Sequence, residues 1–390
     1  MRLEPWRDRP FPVSVVRLSV CMIVKNEAER LRSSIESFRE HADEIVVVDN
    51  GSTDATVEIA RSMGARLDFN HGDFSSARNA ALQLARGRFR LMIDADEIMV
   101  EDTWPNLDAF LREERYRVGR ICQRSETGDG VVDTWVTRVC ANDPGIHYEG
   151  SIHEQLVGDG SIGDTGLVVL HSGYLPREMA KKGTIARNLR LLKVAIEHHP
   201  GDPYLHFQLG RALVLAKDDH EALAHFEIAR ANVGPNTSFT PSLARELGYL
   251  LRQLGQTRKA LEVVRLFQSQ YCDYTDLFFL EGLCHMDLGN APAMVRAFNR
   301  CLQLGEPKRY PTVRGVGTFR CYFNLGLYFE LAGDVNSAIH HYDLALAADP
   351  SFAPAGLRRS LLGAPYGRRA QRGRSIAVGP RRPSMNDTSG

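Results

Sequence analysis

The chain has 390 residues, of which 43% are hydrophobic and 25% are charged, and its formal net charge is zero. This length is enough for two or three domains, the composition is that of an ordinary globular protein, and the neutral charge balance gives no support to nucleic acid as a partner. Seven scattered cysteines without a CxxC pair argue against a disulfide framework and against a zinc ribbon.

The sequence carries no sign of a membrane-spanning segment. Residues 1–20 mix charges with prolines and lack the apolar centre of a signal peptide. No stretch approaches the roughly 20 apolar residues that a membrane span needs. Free thiols fit a reducing compartment. We therefore expect a cytoplasmic protein, and peripheral contact with a membrane stays open.

The N-terminal half alternates predicted strands and helices. The apolar run "VRLSVCMIV" predicts a strand covered on both faces, and a stripe with helical spacing follows it. A second strand, a helix that Ser52 or Thr53 caps, a short third strand and a helix opened by Ser75 or Ser76 precede a fourth strand that ends at Asp94. This order predicts a parallel sheet with right-handed crossovers.

Polar side chains follow the predicted strands at the edge where a ligand should bind. With the strand order 3-2-1-4, the crevice lies beyond the carboxyl ends of strands one and four. Asp94 and Asp96 can face one ligand there, because alternate side chains of an extended segment point the same way. Carboxylates suit Mg²⁺ or Mn²⁺ held together with substrate phosphates. The other residues at these ends are Lys25, Asn26, Glu27 and Asp49.

Four motifs in this half resemble a known family. "SVCMIVKNEAERLRSSIESF", "DEIVVVDNGSTDAT", "DFSSARNAAL" and "LMIDADE" are similar to the nucleotide-sugar-binding half of family-2 glycosyltransferases. The resemblance implies a GT-A domain over residues 16–178, an α/β, Rossmann-like fold with a mainly parallel sheet. It also implies inverting transfer of a sugar from a nucleoside-diphosphate sugar, with UDP favoured over GDP, to an acceptor that the sequence does not name.

The same resemblance assigns site residues. It places Asp49 at the nucleobase, Arg78 near the base and diphosphate, and Asp94 on the ribose side. Asp96, with Asp94 beside it, would bind a Mn²⁺ or Mg²⁺ ion that bridges the diphosphate. Lys25, Asn26 and Glu27 stand in the first donor loop, where Asn26 is expected both to cap a helix and to organise the loop. His171 is a candidate for an extra metal ligand.

Inverting transfer needs a base that takes the proton of the acceptor. The segment "GIHYEGSIHEQL" and the strand "VVDTWVTRVC" supply the candidates, and we favour Glu154, with Glu149 and Asp133 as alternatives. His153 would orient an acceptor or contact a phosphate, and His147 lies in the same segment. Trp135 and Tyr148 are either core residues or surfaces on which a sugar stacks.

The C-terminal half repeats one helical pattern. Four segments carry a glycine followed twelve residues later by a small residue, although the third has Met294 at that place. They resemble tetratricopeptide repeats, which pair two antiparallel helices in 34 residues. We assign residues 181–355 to an all-α repeat domain that binds acceptor or partner proteins or self-associates. The insertion at 305–317 is expected to fold toward the active site.

Residues 357–390 are rich in arginine, glycine and proline and predict a disordered basic tail. Two alternatives to a glycosyltransferase stay open. One is a repeat-based adaptor with a vestigial transferase domain. The other is a nucleotidyltransferase, although "VKNEAERL" lacks the Gly-rich loop that such an enzyme needs. Without a Walker loop or a GxGxxG motif, a kinase or a dinucleotide-dependent dehydrogenase is poorly supported.

Overall fold

The computed structural model describes residues 16–113, 115–127, 130–150, 154–158, 160–171, 184–234, 237–307 and 309–363. The first half begins with the predicted alternation: β1 (Leu18–Val24), α1 (Leu31–Glu36), β2 (Glu44–Asp49), α2 (Thr56–Ser62), β3 (Arg66–Phe69), α3 (Phe74–Leu84) and β4 (Phe89–Met92). These strands run parallel in the order β3-β2-β1-β4. The predicted parallel sheet and its strand order are confirmed.

The sheet continues on the far side of β4 with a mixed set of strands. These are β5 (Glu97–Met99), β6 (Val118–Thr127), β7 (Gly130–Ala141) and β10 (Ile162–His171), and α4 (Trp104–Glu113) precedes β6. The order is β4-β7-β6-β10-β5, in which β6 and β10 pair in parallel and the other pairs are antiparallel. β8 (His147–Glu149) and β9 (Gln155–Val157) form a separate two-stranded sheet.

Each face of the sheet has its own core. On one face, Leu31 and Ile35 of α1 and Leu107 of α4 pack against the apolar side chains of β1, β2 and β4. On the other face, Ala77 and Ala81 of α3 pack on Cys21 and its neighbours. Because β1 is covered on both sides, six of its seven residues are buried, which is why its sequence is a continuous apolar run.

Three helix starts differ from the prediction. Asp73, not Ser75 or Ser76, caps α3 and accepts from the Ser76 amide at 2.8 Å. Neither Ser52 nor Thr53 caps α2, which begins after Ala55 without a side-chain cap. Asn26 does not cap a helix either: its φ is 54° and α1 begins only at Leu31. Its side chain binds a neighbouring loop instead.

The second half is helical, as predicted. A first helix, α5 (Thr184–His198), precedes four pairs: α6 (Pro203–Leu215) with α7 (Asp219–Asn232), α8 (Thr240–Gln253) with α9 (Thr257–Gln268), α10 (Thr275–Asp287) with α11 (Ala291–Leu304), and α12 (Phe319–Leu331) with α13 (Val335–Ala348). Small residues let the helices of a pair approach closely: a Cβ on Gly282 would lie 2.5 Å from the Phe298 ring. Met294 is still buried, so the atypical third unit packs like the others.

The first residues of the predicted basic tail are helical. A last helix, α14 (Ala353–Gly363), covers the end of the repeats with Ala355 and Leu362, so disorder from residue 357 was wrong for its first part. Residues 364–390 lie outside the described part of the chain. Among the helices of the described ranges, none has both the length and the apolarity to cross a bilayer.

Candidate functional site

Asp49 ends β2 with one oxygen fixed and the other unused. Its Oδ2 accepts from the amides of Gly51 at 3.0 Å and Ser52 at 2.9 Å. The residue is 2% exposed, and its Oδ1 is buried without a hydrogen-bond partner among the described residues. A buried acceptor without a donor is costly in a native protein. The position therefore fits a ligand that presents an N–H group to Asp49.

The loops after β1 and β2 are tied to each other beside Asp49. Asn26 Oδ1 accepts from the Thr53 amide at 2.8 Å, and the Asn26 amide donates to Ser52 Oγ at 2.9 Å. The Glu27 amide donates to Thr56 Oγ1 at 2.8 Å, while Lys25 is exposed. These bonds give Asn26 and Glu27 an organising part in the loop.

Asp94 lies between the buried Arg78 and the largely buried Arg138. Its Oδ1 accepts from Arg78 Nη2 at 2.8 Å, and its Oδ2 accepts from Arg138 Nη2 at 2.7 Å. Burial alone would raise the pKa of Asp94, but Arg138 and Arg78 outweigh it and hold this pKa below its ordinary value. Asp94 is therefore an anchored carboxylate, and both of its oxygens are engaged.

Arg78 connects Asp94 to the acceptor half of the domain. Its Nε donates to Glu154 Oε1 at 2.6 Å, and its guanidinium lies over the Tyr148 ring, 5.4 Å from the centroid. Its Nη1 is buried without a partner among the described residues. Among the described residues, the site thus holds one donor on Arg78 and one acceptor on Asp49 that have no partner.

Sequence reasoning missed Arg138. The register of β6 and β7 shifts between Gly119 and Arg120, and Arg138 is the residue of β7 that this bulge leaves without a partner in the ladder. Bulges re-aim side chains near functional sites. An arginine within the apolar strand segment "WVTRVC" was the available signal, because an arginine is almost never fully buried unless it is paired.

Glu97 contacts both Asp94 and Arg138. It is fully buried, accepts from Gln123 Nε2 at 2.6 Å and from the Asp94 amide at 2.8 Å, and lies 3.9 Å from Arg138. Burial and the nearby charge of Asp94 raise the pKa of Glu97. A carboxyl group with a raised pKa releases its proton less readily, which limits the negative charge enclosed beside Asp94.

Asp96 and His171 lie beside each other, and the side chains of both are largely buried. His171 Nε2 is 3.7 Å from Asp96 Oδ1, and His171 Nδ1 is 3.3 Å from Ser125 Oγ. One cation with bonds of about 2.1 Å can bridge two ligand atoms at that separation. No group of three or more potential ligands occurs within the described ranges, so a cation here would need further ligands from substrate or water. Both oxygens of Asp94 bind arginines, so Asp94 stays a predicted ligand that would share these oxygens with Arg78 and Arg138.

The three candidate bases lie in different surroundings. Glu154 is half-buried and bonded to Arg78. Glu149 is exposed and pairs with His147 at 2.9 Å. Asp133 is bonded through both oxygens to Arg124, at 2.7 and 2.8 Å.

The side chain of Asp133 also lies on the face of the sheet opposite to Glu97 and His171. Arg124 is its partner in the ladder, and the adjacent Gln123 and Ser125 point to the opposite face, toward Glu97 and His171. This geometry argues against Asp133 as the base.

The two predicted aromatic residues, Tyr148 and Trp135, lie in different places. Tyr148 is buried beneath Arg78, so it is a core residue, and its backbone is held by both side-chain amide atoms of Asn79 at 2.7 and 2.9 Å. Trp135 lies with Asp133 in a cavity of about 530 Å³ on the opposite face of β6 and β7. His153 lies outside the described residues.

Comparisons with known proteins match both halves of the chain. Residues 19–155 match the model of glycosyl transferase family 2, and residues 319–352 match a tetratricopeptide repeat model. These matches confirm the two resemblances drawn from the sequence motifs.

Three relatives carry related names. A TPR repeat-containing protein of Synechococcus elongatus is 29% identical over 64% of this chain and 65% of its own. The SPbeta prophage-derived glycosyltransferase SunS of Bacillus subtilis is 26% identical over 53% of this chain and 51% of its own. An uncharacterized glycosyltransferase of Rickettsia bellii is 27% identical over 45% of this chain and 71% of its own. The chain spans about half to two thirds of the length of the first two.

Proposed function

We propose that this chain is an inverting glycosyltransferase that moves a sugar from a nucleoside-diphosphate sugar, with UDP as the favoured nucleotide, to an acceptor. The observation that carries the proposal is the buried, unpartnered Oδ1 of Asp49, which lies within the residues that match family 2. Uracil presents one ring N–H between two carbonyl groups, and this donor suits a fixed carboxylate oxygen.

Arg78 and a bound metal ion would balance the negative charge of the diphosphate. Arg78 is held by Asp94 and Glu154, and its Nη1, which has no partner among the described residues, is a donor that suits a phosphate oxygen. Asp96 and His171 would hold a Mn²⁺ or Mg²⁺ ion, which supplies positive charge beside the leaving diphosphate. Preorganised donors of this kind stabilise charge that develops in the transition state.

Glu154 is the proposed base. The acceptor oxygen bonds to the anomeric carbon of the sugar, the bond from that carbon to the diphosphate breaks, and its electron pair leaves with the diphosphate. The proton of the acceptor passes to the carboxylate of Glu154. The hydrogen bond from Arg78 holds that carboxylate in place.

The test is release of nucleotide from a panel of UDP- and GDP-sugars, with product detection by mass spectrometry. Glu154→Gln should lower turnover by about 10²–10⁴-fold while UDP still binds. Glu149→Gln is the matched control and should keep its activity, because Glu149 is exposed and paired with His147. Equal losses in both variants would contradict the assignment of the base.

The panel also separates the alternatives. A folded wild-type protein that binds neither UDP nor GDP and turns over no donor would favour the adaptor with a vestigial transferase domain. Release of pyrophosphate from a nucleoside triphosphate would favour a nucleotidyltransferase.

A further inference from the structure

The insertion between the third and fourth repeats crosses to the N-terminal domain. Its strand β11 (Thr312–Val313) pairs antiparallel with β7, with Thr312 opposite Asp133 and Val313 opposite Val132. The Arg314 amide extends the ladder by donating to the Val131 carbonyl at 2.9 Å. We call residues 310–316 the strap.

On its other side the strap is bonded to the repeats through Asp276, which is fully buried on α10. Asp276 Oδ2 accepts from the Thr312 hydroxyl at 2.6 Å, and its Oδ1 accepts from the Val313 amide at 3.0 Å. The Pro311 carbonyl accepts from Tyr274 at 2.6 Å and from Arg245 at 3.3 Å. Every one of these donors and acceptors on the repeats belongs to the first helix of a repeat or to the residue before it.

Apolar contacts close the same junction. Val313 and Val316 are buried in a cluster with Phe279, and Val132 of β7 packs against that cluster. The first residue of β7 also lies against the repeats, because a Cβ on Gly130 would collide with the Arg320 guanidinium. We call the repeat surface that meets the strap and the β6–β7 hairpin the dock; its residues are Arg245, Tyr274, Asp276, Phe279 and Arg320.

The hairpin held in this way carries part of the candidate site. Gln123 and Arg138 surround Glu97 and Asp94, and Ser125 contacts His171. Val132, which touches the repeats, is opposite Ser125 in the ladder. The Val132–Ser125 pair therefore connects the dock, which Val132 contacts, to the site, where Ser125 contacts His171.

We propose that the dock is an internal binding surface of the repeats: it binds the strap and the β6–β7 hairpin of the same chain, and it positions Gln123, Ser125 and Arg138. A separate peptide is not the occupant of this part of the repeats. Asp276 is the positioning residue, since it meets two donors of the strap at once. The consequence for donor binding rests on the proposed function, but the interface itself does not.

Hydrogen exchange of the full chain tests the role of Asp276. In Asp276→Ala, exchange of the Val313 and Arg314 amides and of residues 130–134 should accelerate by about a hundredfold, because the strap loses two buried acceptors. Asp276→Asn keeps an acceptor for the Val313 amide and a partner for the Thr312 hydroxyl, so it should restore protection. Asp334→Ala removes the N-cap of α13 without touching the strap and should leave residues 130–134 unchanged.

Unchanged protection of residues 130–134 in a folded Asp276→Ala protein would overturn the proposal, and so would equal acceleration in Asp334→Ala. The exchange result stands whether or not the wild type binds UDP. A loss of UDP affinity in Asp276→Ala, restored in Asp276→Asn, is the further result expected if the proposed function is also right.

A second experiment opens the dock. Residues 310–316 are replaced by a Gly-Ser segment of equal length, and a labelled peptide with the sequence of residues 309–317 is titrated while its anisotropy is followed. The peptide should bind the variant with the Gly-Ser segment, and its affinity should fall at least tenfold when Asp276→Ala is added. It should not bind the wild type, in which the strap already occupies the dock. Equal binding to the wild type, or none to a folded opened variant, would overturn the proposal.

Discussion

The buried carboxyl group of Asp276 makes the stability of the fold depend on pH. Burial raises its pKa from 3.8 to about 6, although Arg245 and the hydrogen bonds from Thr312 and Val313 favour the ionised form. Between these two values the folded chain holds a proton that the unfolded chain has released. The contribution of Asp276 to stability is therefore greatest at low pH, falls as the pH rises from 3.8 to about 6, and is lost above that value. A tenfold change in proton affinity is worth about 1.4 kcal/mol, so the loss amounts to about 3 kcal/mol.

Urea unfolding of wild type and Asp276→Asn between pH 4.5 and 7.5, followed by circular dichroism, measures this loss. Asparagine resembles the protonated carboxyl group and cannot ionise. The stability of wild type relative to the variant should therefore fall by about 2 kcal/mol across this pH range, because the first part of the total loss lies below pH 4.5. Asp287→Asn, which removes a partly exposed pair with Arg252, should change stability by less than about 1 kcal/mol. Parallel pH curves for wild type and Asp276→Asn would refute the reasoning.

Two further substitutions test the site and the repeats. Arg138→Met removes one positive charge beside Asp94 and Glu97 and should cost about 3–5 kcal/mol in the free energy of unfolding, measured with urea. The control is Arg120→Met, which breaks a half-exposed pair on the same hairpin and should cost less than about 1 kcal/mol. Similar costs for the two variants would contradict the argument that burial makes the Arg138 pair important. Gly282→Ala forces a methyl group against an aromatic ring and should cost about 1–3 kcal/mol. Gly201→Ala meets no atom within 4 Å and should be close to neutral, so equal effects would exclude close packing as the cause.

The sequence predicted the strands better than the helix starts. β1 and β2 are continuous apolar runs because helices cover both faces of the sheet, and that pattern is visible without coordinates. The start of α3 was misplaced because Asp73, Ser75 and Ser76 are all residues that cap helices well, and only the backbone conformation decides among them. The insertion at 305–317 was expected to fold toward the active site, but the pairing of its strand with β7 depends on long-range contacts that the sequence does not show.

Some residues of the candidate site could also be placed from the sequence, and others could not. Asp49 and Asp94 follow β2 and β4, the two parallel strands that flank β1, so topology alone brings them to one edge. The faces occupied by Arg138 and Asp133 depend on the register of a bulged antiparallel pair, in which a shift of one residue exchanges the faces. No spacing rule in a single sequence fixes that register. The roles of these residues in binding and transfer stay predictions.

Calorimetric titration of the full chain with UDP, in the presence and absence of Mn²⁺, tests the central claim most directly. We predict metal-dependent binding that Asp96→Ala abolishes and that Asp49→Asn weakens by about tenfold or more, because it replaces one of the two buried carboxylate oxygens by a donor. Asp68→Asn, on the exposed end of β3, should bind like the wild type. A folded wild-type protein that binds neither UDP nor GDP with Mn²⁺ present would contradict the account.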